Sequence, residues 1–207
     1  MNCCARPTAS DAPVDKLTVA DLYPLETYAR LRPEFRARVI EHKAHRRLAL
    51  GPHVTLAFED RLTMHYQVQE MLRAERIFEP EDIRAELDAY NPLIPDGTNW
   101  KATLLIEYPD EEQRRAALVR LKGLEDRVWV RVGTGEPVYG IADEDLDRAN
   151  ETKTSAVHFL RFELPPAVIE ALKHGAGVAA GVDHPEMSIQ LDAVPEPIRE
   201  SLVADLA

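Results

Sequence analysis

The chain has 207 residues, of which 45% are hydrophobic and 29% charged, enough apolar material for a sizeable core and too much for wholesale disorder. Thirty-six acidic residues against 25 basic ones give a net charge of −11, which repels phosphate backbones and disfavours nucleic acid as a partner. No apolar run reaches the length of a membrane span, and MNCCARPTASDAPVD lacks the basic start and apolar segment of a secretory signal, so a cytoplasmic protein is expected.

Residues 1–15 read as a loose tail, and residues 16–207 as a single α+β domain with a subdivision near 97–100 left open. Cys3 and Cys4 are adjacent and have no later cysteine to pair with, which excludes a disulfide framework. Thr18 and Asp21 form a capping-box pattern. A helix is expected over Leu22–Leu31, interrupted at Tyr23-Pro24, and a second one opened by Pro33 and running to about Ala44.

The window 30–47 is the anomaly in the charge layout. Arg30, Arg32, Arg36, Arg38, Lys43, Arg46 and Arg47 stand against Glu34 and Glu41, so the window carries +5 and the rest of the chain −16. The bland reading is a solvated face or internal pairing with the acidic remainder. The functional reading is a docking patch for an anion or an acidic protein, centred on Arg32, Arg36, Lys43 and Arg47. His42 and His45 have the spacing to share a metal, but the cations around them repel one and no third ligand is evident.

Arg46–Leu50 and His53–Phe58 alternate around Gly51-Pro52 and predict a β-hairpin. Asp60 then caps a helix that should end near Phe78, ahead of Pro80. On its wheel Met64, Val68, Met71 and Leu72 share a core-facing sector, with His65, Gln69, Arg73 and Arg76 beside it. Leu62, Tyr66 and Ile77 add apolar groups on the far side, so this helix should be covered on more than one face. Glu75 falls in the core-facing sector and calls for an arginine partner. The polar groups form either a structural hydrogen-bond network or a small pocket lined by His65, Gln69 and Arg73, with Glu70 and Glu75 as further candidates.

A helix over Glu81–Tyr90 leads into the proline-marked loop NPLIPDGTN. Beyond it, strand–helix–strand occurs twice, as KATLLIEYPDEEQRRAALVRLKGLEDRVWVRV and SAVHFLRFELPPAVIEALKHGAGVAAGV. This is either a degenerate duplication or convergent α/β texture. Between the two, Pro137–Ile141 is extended and Asp143–Asn150 forms an acidic helical turn. A last strand (Ser188–Leu191) and a closing helix (Pro195–Leu206) follow. The expected fold is therefore α+β: N-terminal helices and a hairpin packed on a mixed, mainly antiparallel sheet. His158 reads as a satisfied sheet histidine, and His184 in Asp183-His184-Pro185 as a weak metal candidate at a strand end. No G-x-S-x-G, phosphate-loop or iron–sulfur pattern occurs, so catalytic residues and cofactor stay unassigned.

Several runs together carry a resemblance: RPEFRARVIEHK, GPHVTLAFEDRLTMHYQVQEMLRAERIF, ELDAYNPLIPDGTNWKATLLIEYPD, EDRVWV, ETKTSAVHFLRFEL and GVDHP. From about Lys16 to the C-terminus the chain resembles a bacterial family known as domain of unknown function 3501. The resemblance brings no catalytic residue with it. Members of that family are often encoded beside rubrerythrin-like and iron–sulfur oxidoreductase proteins, which implies a role near redox or peroxide-stress chemistry. The first expectation is thus an accessory protein with a redox protein as partner. The alternative is a small-molecule or metal-dependent enzyme using a pocket on helix 60–78, with His65 as acid/base and Arg73 as anion clamp. A ligand-sensing domain built on the repeated units is the third.

Overall fold

Alternating apolar residues build two antiparallel sheets in place of the single mixed sheet expected, within the α+β class that the sequence indicates. The computed structural model describes residues 16–142 and 154–207; the tail with Cys3 and Cys4 and the helical turn expected over Asp143–Asn150 lie outside them. The strands are β1 (Arg47–Ala49), β2 (Val54–Glu59), β3 (Asn99–Ile106), β4 (Val128–Val132), β5 (Val138–Tyr139), β6 (Ile141–Ala142), β7 (Val157–Glu163), β8 (Val178–His184) and β9 (Met187–Leu191). They form a five-stranded sheet in the order β1-β2-β3-β7-β6 and a four-stranded sheet in the order β5-β4-β8-β9. All pairings are antiparallel.

The two strand–helix–strand units each cross from one sheet to the other instead of closing within one. With α4 (Glu111–Arg120) and α5 (Pro166–Lys173), and with the helices of residues 61–90 set aside as an insertion between β2 and β3, the order β2-β3-α4-β4-β5 is repeated as β6-β7-α5-β8-β9. β3 pairs with β7 and β4 with β8, so a pseudo-twofold axis passes between the central strands of both sheets. Val138–Ala142 serves both sheets, changing allegiance at Gly140, whose N–H donates to the Val128 carbonyl at 2.8 Å.

The remaining helices are α1 (Leu25–Ala44), α2 (Arg61–Glu75), α3 (Pro80–Tyr90) and α6 (Glu196–Val203). The main core lies between the sheets and takes in α4, α5 and α6; Trp100 is fully buried there and donates its indole N–H to the Leu202 carbonyl at 2.9 Å. The other face of the five-stranded sheet meets the helical layer through Phe159, which packs against a cluster of Met64, Val68, Leu72, Leu87 and Ile94. α1 lies on α2 through Tyr28, Phe35 and Val39.

Two expected boundaries move. α1 is one helix with Pro33 inside it, not two. Proline removes one intrahelical bond, here on the exposed side, since Ala29 and Pro33 are both exposed, while Tyr28, Phe35 and Val39 are buried on the other. α2 stops at Glu75, short of Phe78: Arg76 turns left-handed (φ 57°) and the Ile77 N–H closes onto the Leu72 carbonyl at 2.9 Å. Glycine or asparagine usually marks such a stop, so an arginine there gives no warning. Pro80 is the first residue of α3.

Gly181 fits under Trp129, and a Cβ there would stand 2.5 Å from the indole and 2.3 Å from the Ile189 carbonyl oxygen. Gly181→Ala is therefore expected to lower stability by at least about 2 kcal/mol, measured by urea denaturation.

Candidate functional site

The densest polar site lies where α1 ends and α2 begins. Arg46 follows α1 in phase with Leu48 and Leu50 and is only 2% exposed. Its Nε donates to the Phe58 carbonyl at 3.1 Å and Nη2 to the Glu59 carbonyl at 3.0 Å. Nη1 reaches Ser201 Oγ at 3.1 Å, and Nη2 reaches Asp205 Oδ2 at 2.5 Å. Asp60 Oδ2 lies 3.4 Å from Nη1. Asp60 also caps α2, accepting from the Thr63 N–H at 2.8 Å, and its Oδ2 meets His42 Nε2 at 2.5 Å. Beside this network is a cavity of about 270 Å³ lined by Asp60, Arg61, Leu62, Pro95, Ala204 and Asp205.

The two carboxyl groups are pushed apart in acidity. Burial pushes Asp205 up to about 6 in spite of Arg46, and the Asp60 anion adds to the rise. At Asp60 burial also opposes ionisation, but Arg46, the Thr63 N–H and His42 together hold the carboxyl below its ordinary value. Such a divided pair beside a cavity is equipped to hold and release a proton.

The pocket expected on helix 60–78 is only partly assembled. Gln69 is fully buried and clamps Tyr23, accepting from its N–H at 2.5 Å and donating to its carbonyl at 3.3 Å. Glu70 accepts the Tyr28 hydroxyl at 2.6 Å and a two-pronged contact from Arg32 at 2.7 and 2.8 Å. The Arg32 bonds bring its carboxyl down to about 2, against burial. His65 stacks on Tyr23 at 5.6 Å, and its Nε2 is buried without a hydrogen-bond partner among the described residues. Burial lowers the imidazole pKa, Arg61 and Arg38 lower it further, and Asp21 opposes them.

Arg73 and Glu75 do not join the pocket. The last turn of α2, residues 73–76, is exposed on every side, so the sector that buries Met64 and Val68 opens to water before Glu75. Glu75 acts on Glu86, whose carboxyl is raised first by burial and then by that like charge, and it makes no ion pair with an arginine among the described residues.

Of the expected docking residues, Arg32 is engaged by Glu70, and Arg47 stands 3.9 Å from Glu107. Arg36 is exposed and Lys43 half-buried. His42 and His45 do not converge as metal ligands, because Asp60 takes the His42 ring and His45 is exposed. His184 is used structurally: its Nδ1 accepts from the Glu186 N–H at 3.2 Å, leaving Nε2–H to donate to the Lys122 carbonyl at 3.1 Å. His158 is buried, with Nε2 at 2.8 Å from Thr154 Oγ1, which donates to Glu125 at 2.8 Å. Among the described residues no group of three or more His, Cys, Asp or Glu is arranged to hold a metal. None of the described helices is long and apolar enough to cross a membrane.

Residues 16–206 match the model of the family described as Protein of unknown function (DUF3501). The chain belongs to this family. A crystal structure of a novel protein of unknown function from Burkholderia pseudomallei K96243 shares 53% identity with this DUF3501 chain, covers 93% of it and 100% of its own length, and superposes with a TM-score of 0.89. No curated protein matches.

Two outcomes are expected from the Arg46 network. Arg46→Met leaves two buried carboxyl groups without their cation and should cost about 3–5 kcal/mol in urea unfolding at neutral pH. Asp205 has a folded pKa (about 6) above its ordinary value of 3.8, so the folded state binds the proton more tightly than the unfolded one. Its contribution is fully present below the ordinary value and is lost as pH rises towards 6. Asp205→Asn should flatten that slope and stabilise the protein above pH 6 by about 1–3 kcal/mol, read from unfolding curves across the pH range.

Proposed function

We propose that the protein is an accessory protein of a redox system and docks on its partner through the solvent face of α1. The observation that carries this reading is apolar exposure among cations. Ile40 is 54% exposed in phase with the exposed Arg36, and Leu31, on the opposite flank of the helix, is 39% exposed in phase with the exposed Arg38. Of the seven cations in the 30–47 window, Arg32, Arg46 and Arg47 are answered by carboxylates elsewhere in the chain. That leaves four against Glu34 and Glu41, a local positive excess on an acidic molecule, which suits a partner with an acidic surface. The redox assignment draws on the company this family keeps, with rubrerythrin-like and iron–sulfur oxidoreductase proteins.

The test is binding to purified rubrerythrin-like and iron–sulfur proteins of the kind encoded beside family members, measured by calorimetry at two salt concentrations. Arg30→Glu with Arg36→Glu should weaken association about tenfold or more, and Arg73→Glu, on the exposed end of α2, should leave it unchanged. Equal affinity for the charge-reversed and unaltered proteins would end the docking reading.

A small-molecule enzyme is the second reading, and the cavity beside Asp60 and Asp205 is what favours it. Under it Asp205, rather than His65, moves the proton. Asp205→Asn would then abolish cellular function while raising stability, and a variant that keeps full function would remove this reading.

A further inference from the structure

Phe78 is 70% exposed, the highest value of any large apolar side chain among the described residues. The backbone on either side of it is fixed. Arg76 turns left-handed, the Ile77 N–H closes onto the Leu72 carbonyl at 2.9 Å, and Ile77 packs against the Met64 cluster. Pro80 then opens α3. Phe78 is thus held at the surface between two anchored ends and has little freedom to lose on binding.

A receptor of matching size lies on the same helical layer. The cleft, of about 170 Å³, is lined by Tyr23, Leu31, Glu34, Phe35 and Arg38, close to the roughly 150 Å³ of an apolar protein cavity that accepts benzene. Leu31, Glu34, Phe35 and Arg38 follow the i, i+3, i+4, i+7 spacing of one helix stripe. Phe35 is met edge-on by Tyr23 and Tyr28 at 6.2 Å and by Tyr66 at 5.8 Å. Gln69 fixes the Tyr23 backbone from both sides, so the aromatic wall is assembled before anything enters.

Charge narrows the occupant. The rim carries one anion and one cation, Glu34 and Arg38, the latter 4.9 Å from the Phe35 ring centroid. Phe78 is likewise flanked by one of each, Arg76 before it and Glu79 after it. None of the four makes an ion pair among the described residues. A purely acidic or purely basic segment would satisfy one rim charge and oppose the other. A segment with opposite charges on either side of an aromatic ring satisfies both, and this chain exposes such a segment.

We propose that two copies of the chain associate through the helical layer, each seating Phe78 in the other's cleft, with Glu79 against Arg38 and Arg76 against Glu34. Arg32 faces Glu70 and His42 faces Asp60, so α1 and α2 run antiparallel. Phe78 therefore lies at the end of the layer where α1 begins, about two to three turns from the cleft, and a twofold axis between ring and cleft closes the pair. Each ring buries about 150–250 Å², and two of them fall well short of a permanent interface, so the dimer dissociates on dilution. It uses the Leu31 flank of α1, not the Arg36 flank, and stands apart from the docking of a redox partner.

The test is sedimentation velocity of the 207-residue chain from about 1 μM to about 1 mM, where a monomer–dimer equilibrium is expected. Phe78→Asp and Leu31→Asp should each weaken association at least about tenfold. Val119→Asp, at an exposed apolar position on α4, should leave it unchanged; all three positions are exposed, so the fold is retained. Arg38→Glu and Glu79→Arg should each weaken the dimer about tenfold, and the two together in one chain should restore it. In a mixture of isotope-labelled and unlabelled copies, filtered NMR should show the Phe78 ring against Leu31 and Tyr23 of the other copy. A chain that stays monomeric throughout the range would overturn the proposal, as would a dimer indifferent to Phe78→Asp. Failure of the paired charge reversal to restore association would overturn this seating of the ring.

Discussion

Arg46 joins segments that lie far apart along the chain. One guanidinium takes the carbonyls that end β2, the hydroxyl and carboxyl of the C-terminal turn, and the aspartate that caps α2. Replacing such a buried ion cluster with apolar groups is often neutral for stability, whereas leaving its parts unmatched is costly. Its value here is positional. The N–H groups of the fork point at fixed acceptors, so α2 starts at one angle and the C-terminus docks in one place.

From that start, α2 runs between two environments. Its first three turns are enclosed, with Gln69 and Glu70 holding α1 by way of Tyr23, Tyr28 and Arg32. The fourth turn is bare. The polar groups of this helix therefore divide by position along its axis more than by rotation around it, and this is why Arg73 and Glu75 fall away from the group to which their wheel positions assigned them. The enclosed half leaves a cleft on either side, one on α1 with aromatic walls and one at the cap with paired carboxyls.

Much of the fold is legible in the sequence because period and punctuation agree over most of its length. The hairpin at Gly51-Pro52, the Asp60 cap and the strand–helix–strand repeats follow from local rules that the tertiary structure did not override. Arg46 was legible too, for the alternation that places Leu48 and Leu50 inward does the same for it, and Asp205 lies in helical phase with Ile198 and Leu202. Both were obscured by charge, which is ordinarily a sign of solvent. Two features had no local signal: the left-handed Arg76 that ends α2, and the division of the strands between two sheets, which is set by the long-range pairing of β3 with β7 and of β4 with β8.

At Gly140 added side-chain atoms would press on Leu160 and Phe162 at 3.2 Å, and the chain passes from one sheet to the other without a loop. Sliding the pairing of β5 with β4 would drag β6 along β7 by the same amount. The two sheets are thus geared together: neither can shift its alignment alone.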